Sequence, residues 1–152
     1  MNANGSKGCA VVNNLVYIDL SETERLIKPV LEKHPEIVGA YFFGSSLDRC
    51  RIDSDIDVGI VLTRRACLPE KEQDLLIERI ISEAPRSGNH MIDMTILRES
   101  DVFFTHRVIR TGRLFYVKDV EELTDFIEIV SNKYRQNYPR YRQALELIAS
   151  EV

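Results

Sequence analysis

The sequence predicts an α+β fold: a small mixed β-sheet flanked by helices and ending in a C-terminal helical tail. Three observations predict it. Short apolar runs bounded by glycine or polar turns, the pattern of buried strands, recur at "IVGAYFFG", "DIDVGIVL" and "HMIDMTIL". The segments around them carry apolar residues at helical spacing, giving the order α-β-β-α-β-α-β-α. Finally, 152 residues with 44% hydrophobic and 29% charged side chains suit one globular domain with one sizeable core. The small polar start, "MNANGSKG", reads as a mobile tail over residues 1–14, and 15–152 as a single domain that includes the C-terminal helix.

Ser21 and Glu24 have the S-x-x-E spacing of a capping box and predict a helix running toward Lys33. Pro29 removes one of its ladder bonds, and His34-Pro35 ends it. The run from Ile37 to Gly44 is the first buried strand. In the next, Asp55, Asp57, Gly59 and Val61 share one face while Ile56, Val58, Ile60 and Leu62 share the other. From Pro69 to Glu83, Leu75, Leu76, Ile80 and Ile81 recur at helical spacing, with Pro85 just beyond. A third strand places Met91, Asp93, Thr95 and Leu97 on one side. A short helix over Asp101 to Thr111 stops at Gly112, "RLFYV" forms a fourth strand, and from Val120 onward the chain is mainly helix, with a bend expected near Pro139.

Composition narrows the function classes. A net charge of -4 argues against bulk nucleic-acid binding by phosphate neutralisation. Cys9, Cys50 and Cys67 are odd in number and form no C-x-x-C pair; with no signal peptide in view, reduced thiols in the cytoplasm are the simpler reading. No apolar run approaches the roughly 20 residues of a membrane-spanning helix.

The chemistry lies in three strand-borne carboxylates. Asp55 and Asp57 project from one face of their strand, and Asp93 converges on them if its strand pairs alongside. Three such charges without a cation repel one another and raise their pKa values. Hard carboxylate oxygens suit Mg²⁺, or Mn²⁺, and a two-ion site would clamp the attacking and leaving oxygens of an in-line displacement. Asp93 is then both third ligand and the group placed to take a hydroxyl proton. Gly44-Ser45, after the first strand, allows close backbone approach to phosphate oxygens and adds a hydroxyl donor. Gly5-Ser6 is the same dipeptide without strand or D-x-D, so position carries the signal. Asp53, in "IDSDID", reads as a turn residue.

"FGSSLDRCRIDSDIDVGIVL" followed by "MIDMTIL" resembles the polymerase-beta-like nucleotidyltransferase superfamily, in particular its minimal nucleotidyltransferase (MNT) branch. The spacer after Ser45 is one residue shorter than the commonest form of that branch, and "LDRCR" replaces its usual glycine, which leaves the roles of Arg49 and Arg51 open. The resemblance implies a mixed sheet flanked by helices and transfer of AMP from ATP to a hydroxyl. Gly44 and Ser45 would hold phosphates, and Asp55, Asp57 and Asp93 would bind two Mg²⁺ ions. "THRVIRTGRLFYVKD" and the helix after it resemble the C-terminal part of MNT antitoxins that accompany HEPN toxins. A HEPN-type toxin is then the expected partner, and one of its tyrosines the acceptor. The alternatives are an antitoxin that acts by contact alone and an enzyme for small molecules of the aminoglycoside type.

Tyr134, Tyr138 and Tyr141 form a helical stripe among Lys133, Arg135, Arg140 and Arg142, read as packing or a partner surface before RNA contact. His106, beside Phe103 and Phe104, reads as a partly buried, satisfied histidine; His34 and His90 lie at element ends without zinc-spaced cysteines. Asp74 and Glu78 read as a solvated face.

Overall fold

The structure, a computed structural model, describes residues 14–86, 88 and 90–151. All but Asn14 of the expected N-terminal tail lies outside the described residues. In chain order the elements are β1 (Leu15–Val16), α1 (Ser21–Glu32), β2 (Ile37–Phe43), a 3₁₀ turn (Ser45–Leu47), β3 (Cys50–Arg51), β4 (Ile56–Leu62), α2 (Glu70–Glu83), β5 (Ile92–Ile96), α3 (Val102–Thr111), β6 (Arg113–Val117) and α4 (Val120–Ser150). The main sheet has the order β5-β4-β2-β6. Strand β2 runs antiparallel to β4 and β6, and β4 runs parallel to β5, so the sheet is mixed as expected. Helix α2 is the crossover that a parallel neighbour requires.

Alternation on the strands feeds two apolar layers. Ile56, Val58 and Ile60 pack with Ile27 and Leu31 of α1 and with Leu76 and Ile80 of α2. On the opposite face Val38, Tyr41 and Val61 pack with Val108 of α3 and with Leu123, Phe126 and Val130 of α4. Each such side chain contributes about 1.5–3 kcal/mol on full burial. A register shift between Ile37 and Gly39 explains why Val38 and Ala40, two apart, end in different layers.

Two local expectations change, and two further features appear. The capping box is not made: Ser21 is the first helical residue and its amide donates to Asp19 Oδ1 at 2.9 Å. That bond also holds the Asp19 carboxyl below its ordinary range. In α2 the inward residues are Leu76 and Ile80, an i,i+4 pair, whereas Leu75 and Ile81 are exposed. Strands β1 and β3 form a small antiparallel pair that two-residue runs are too short to announce. Gly112 ends α3 as expected, in extended backbone, and close approach is what requires glycine there.

Helices α1 and α4 run unbroken through Pro29 and Pro139. The tyrosine stripe is largely packing. Tyr134 stacks on His106 with ring centroids 3.7 Å apart, and Tyr141 stacks on Phe103 at 4.3 Å. Burial lowers the His106 pKa, helped by Arg110. Past Tyr141 the helix leaves Leu145, Leu147 and Ile148 exposed.

Candidate active site

The three aspartates meet where β4 begins. Asp57 is the second residue of β4, in register with Phe43 of β2 on one side and with Asp93 of β5 on the other. Asp55 precedes the strand by one residue, on its exposed approach. The start of β5 brackets it: His90 Nδ1–H donates to the Ser54 carbonyl at 2.9 Å, and the Ile56 amide donates to the Met91 carbonyl at 2.8 Å. Parallel pairing thus brings Asp93 level with Asp57 and holds the loop carrying Asp55. Asp57 shares the sheet face of Val61, the side covered by α3 and α4.

Burial pushes the Asp57 carboxyl above its ordinary range, and the charges of Asp93 and then Asp55 push it further. Asp57 is therefore within electrostatic reach of both other carboxylates. Among the described residues no group of three His, Cys, Asp or Glu side chains stands gathered tightly enough to hold an ion. The fit to a hard divalent cation rests on the donor set: oxygen ligands only, on or just before adjacent strands, with no ion-pair partner among the described residues.

Gly44 closes β2 with φ 80° and ψ -160°, a region open essentially to glycine alone. A Cβ there would run into the Asp57 carboxylate, so the Gly-Ser turn and the aspartate pair are one construction. Ser45 starts the 3₁₀ turn and is exposed. Ser46 was not singled out by sequence, yet it is buried and its Oγ has no hydrogen-bond partner among the described residues. The Gly-Ser-Ser run was its available signal. Arg49 is exposed, and Arg51 pairs with Asp53 at 3.1 Å, which fits Asp53 as a turn residue. His34 is bonded to Glu83 at 3.1 Å, away from this site, and Asp74 and Glu78 are solvent-exposed.

The polymerase beta nucleotidyltransferase family matches residues 25–121, a stretch that contains Gly44, Ser45 and all three aspartates. The chain belongs to that family. It is a nucleotidyltransferase domain by descent, followed by the greater part of α4. A comparison with curated protein sequences finds no match. Among solved structures, the nucleotidyltransferase is similar to a chain in a complex of tri-AMPylated Shewanella oneidensis HEPN toxin with MNT antitoxin. That likeness has TM-score 0.57 and 17% identity, covering 86% of this chain and 99% of that one. A chain in a toxin–antitoxin structure with AMP-PNP is similar at TM-score 0.56 and 17% identity, covering 82% and 98%. A third is a variant MntA-HpeT toxin–antitoxin with two aspartates, two positions apart, changed to glutamate; it matches at TM-score 0.57 and 17% identity, covering 82% and 98%. At such identity these likenesses speak for the fold. No helix among the described residues is long and apolar enough to cross a membrane.

Proposed function

We propose that this nucleotidyltransferase moves AMP from ATP onto a tyrosine hydroxyl of a HEPN-type toxin and so acts as its antitoxin. One observation carries the reading: Asp57 and Asp93 stand in register on adjacent parallel strands, with Asp55 two residues from Asp57 and Gly44 pressed against the Asp57 carboxylate. The similar structures include a tri-AMPylated toxin complex and one with AMP-PNP, and an aspartate pair with the same spacing has been altered in a third.

Asp55, Asp57 and Asp93 are the residues that would hold Mg²⁺, or Mn²⁺. When bound, such ions neutralise the triphosphate and stabilise charge developing on the transferred group. Gly44 and Ser45 hold phosphate oxygens through backbone approach and the serine hydroxyl. The tyrosine oxygen attacks the α-phosphorus, the bond from that phosphorus to the bridging oxygen breaks, and pyrophosphate leaves with the electron pair. Asp93 takes the phenolic proton and returns it to solvent. The reading places the protein in the cytoplasm.

The test is incubation of the chain with ATP, Mg²⁺ and a HEPN-type toxin. A tyrosine peptide should gain about 329 Da per adenylate group. Asp93→Asn should suppress the gain even where the two proteins still bind. A second reading, neutralisation by contact alone, draws on the exposed Leu145, Leu147 and Ile148 of α4. It prevails if the Asp93→Asn protein silences the toxin equally well with no added mass. Labelling of an aminoglycoside and not of the protein would point to a small-molecule acceptor.

A further inference from the structure

A cavity of about 350 Å³ opens beside the Gly-Ser turn, lined by Phe43, Gly44, Leu47, Arg107, Val108 and Thr111. Its volume lies in the range of small-ligand sites. Strand β2, the 3₁₀ turn and α3 build it, and α3 meets β2 by close approach. At Gly112 an added Cβ would stand 2.8 Å from the Phe42 carbonyl and 2.5 Å from that of Val108, so only glycine lets the last turn of α3 press against the end of β2.

Among the described residues, Arg107 is the one charged residue in that lining. The ion pairs of the described residues include none to Arg107; its guanidinium lies 5.8 Å from the Phe104 ring centroid, and Phe104 in turn packs edge-on against Phe43 at 5.6 Å. Thr111 donates its hydroxyl to the Arg107 carbonyl at 2.7 Å, so the threonine serves the helix and not the cavity. The result is a planar, multi-donor cation, without an ion-pair partner among the described residues, at the wall of a cavity whose rim is Gly44. Gly44 also borders the Asp57 carboxylate. A triphosphate reacting at the aspartates needs its distal charges carried away from those carboxylates, and past Gly44 this cavity offers a guanidinium for them.

Resting on the nucleotidyl-transfer reading, we infer that the cavity receives the β- and γ-phosphates of the nucleoside triphosphate and that Arg107 is the residue that binds them. Arg107 thus distinguishes triphosphate from monophosphate and steadies the leaving pyrophosphate.

Calorimetry at fixed salt with Mg²⁺ tests this, using ATP, AMP and inorganic tripolyphosphate against the wild type, Arg107→Ala and Arg107→Lys. Charge-assisted hydrogen bonds of about 1.5–3 kcal/mol correspond to a loss of roughly 10–150-fold in ATP affinity for Arg107→Ala. Tripolyphosphate should weaken in parallel, AMP should stay within about twofold, and Arg107→Lys should fall between. Arg107 is exposed, so thermal melting should match the wild type. Equal ATP affinity in Arg107→Ala and wild type overturns the inference and leaves the transfer reading standing. So does a proportional loss of ATP and AMP, which would assign Arg107 to the nucleoside. A wild type that binds none of the nucleotides removes both.

Discussion

Asp57 is half-buried beside two like charges, and its raised pKa sets the sign of two effects. With the folded value above the unfolded one, the native state without metal holds an extra proton between them, and stability falls as pH rises through the folded value. At neutral pH the ionised carboxylate is therefore a penalty on the metal-free fold. Asp57→Asn should melt higher than wild type at pH 7 in EDTA, with the gap closing as the pH falls toward the ordinary carboxylate range. The same substitution should abolish AMP transfer, because phosphoryl chemistry depends on positioned charge neutralisation. Full turnover by Asp57→Asn would remove the aspartates from the chemistry. Ser46 offers a companion case. Its buried hydroxyl has no bond to lose among the described residues, so Ser46→Ala should keep or raise stability by up to about 1–3 kcal/mol in urea unfolding. A clear loss of stability would mean that the hydroxyl is bonded in the folded chain.

Among elements, α3 matters most, because its last turn forms one wall of the cavity beside the Gly-Ser turn. Gly112→Ala should force α3 off β2 and cost about 1–3 kcal/mol, as overpacking does, read from the urea midpoint at unchanged slope. ATP affinity should fall with it, since Phe43 and Arg107 stand on opposite sides of the displaced contact. A wild-type midpoint would mean that the approach at Gly112 is not required. This dependence was invisible in the sequence, where Gly112 looked like an ordinary helix stop. The sequence of elements along the chain and the aspartate face were legible because a period of two on β4 and β5 survives any tertiary detail, whereas the order β5-β4-β2-β6 within the sheet was not. Nor was competition between neighbours. Asp19 takes the Ser21 amide that the S-x-x-E spacing had assigned to a box, and Leu76 with Ile80 wins the inward face from Leu75 and Ile81. Gly44 and the aspartates announce themselves by type and spacing, whereas Arg107 joins them from more than sixty residues downstream of Gly44, through packing alone.

Over the whole molecule, the sheet and helices α1 to α3 form a closed body, and α4 is shared between that body and solvent. Leu123, Phe126 and Val130 lock its first half into the core, and Tyr134 and Tyr141 rest on α3. Beyond them Leu145, Leu147 and Ile148 are 48%, 66% and 63% exposed, so they contribute little to folding. A site as open as this one has few walls to orient an acceptor, and a docked protein can supply that orientation instead. Replacing both Leu145 and Ile148 by serine should leave stability within about 0.5 kcal/mol, as surface changes do. ATP affinity should also be unchanged, because neither residue approaches the cavity at Gly44. Under the proposed function, transfer to a HEPN-type toxin should fall through weaker capture, seen as a raised KM for the toxin at nearly constant kcat. Transfer at the wild-type KM would show that the outer half of α4 plays no part in holding the toxin, and would move the docking surface onto the closed body around the aspartates.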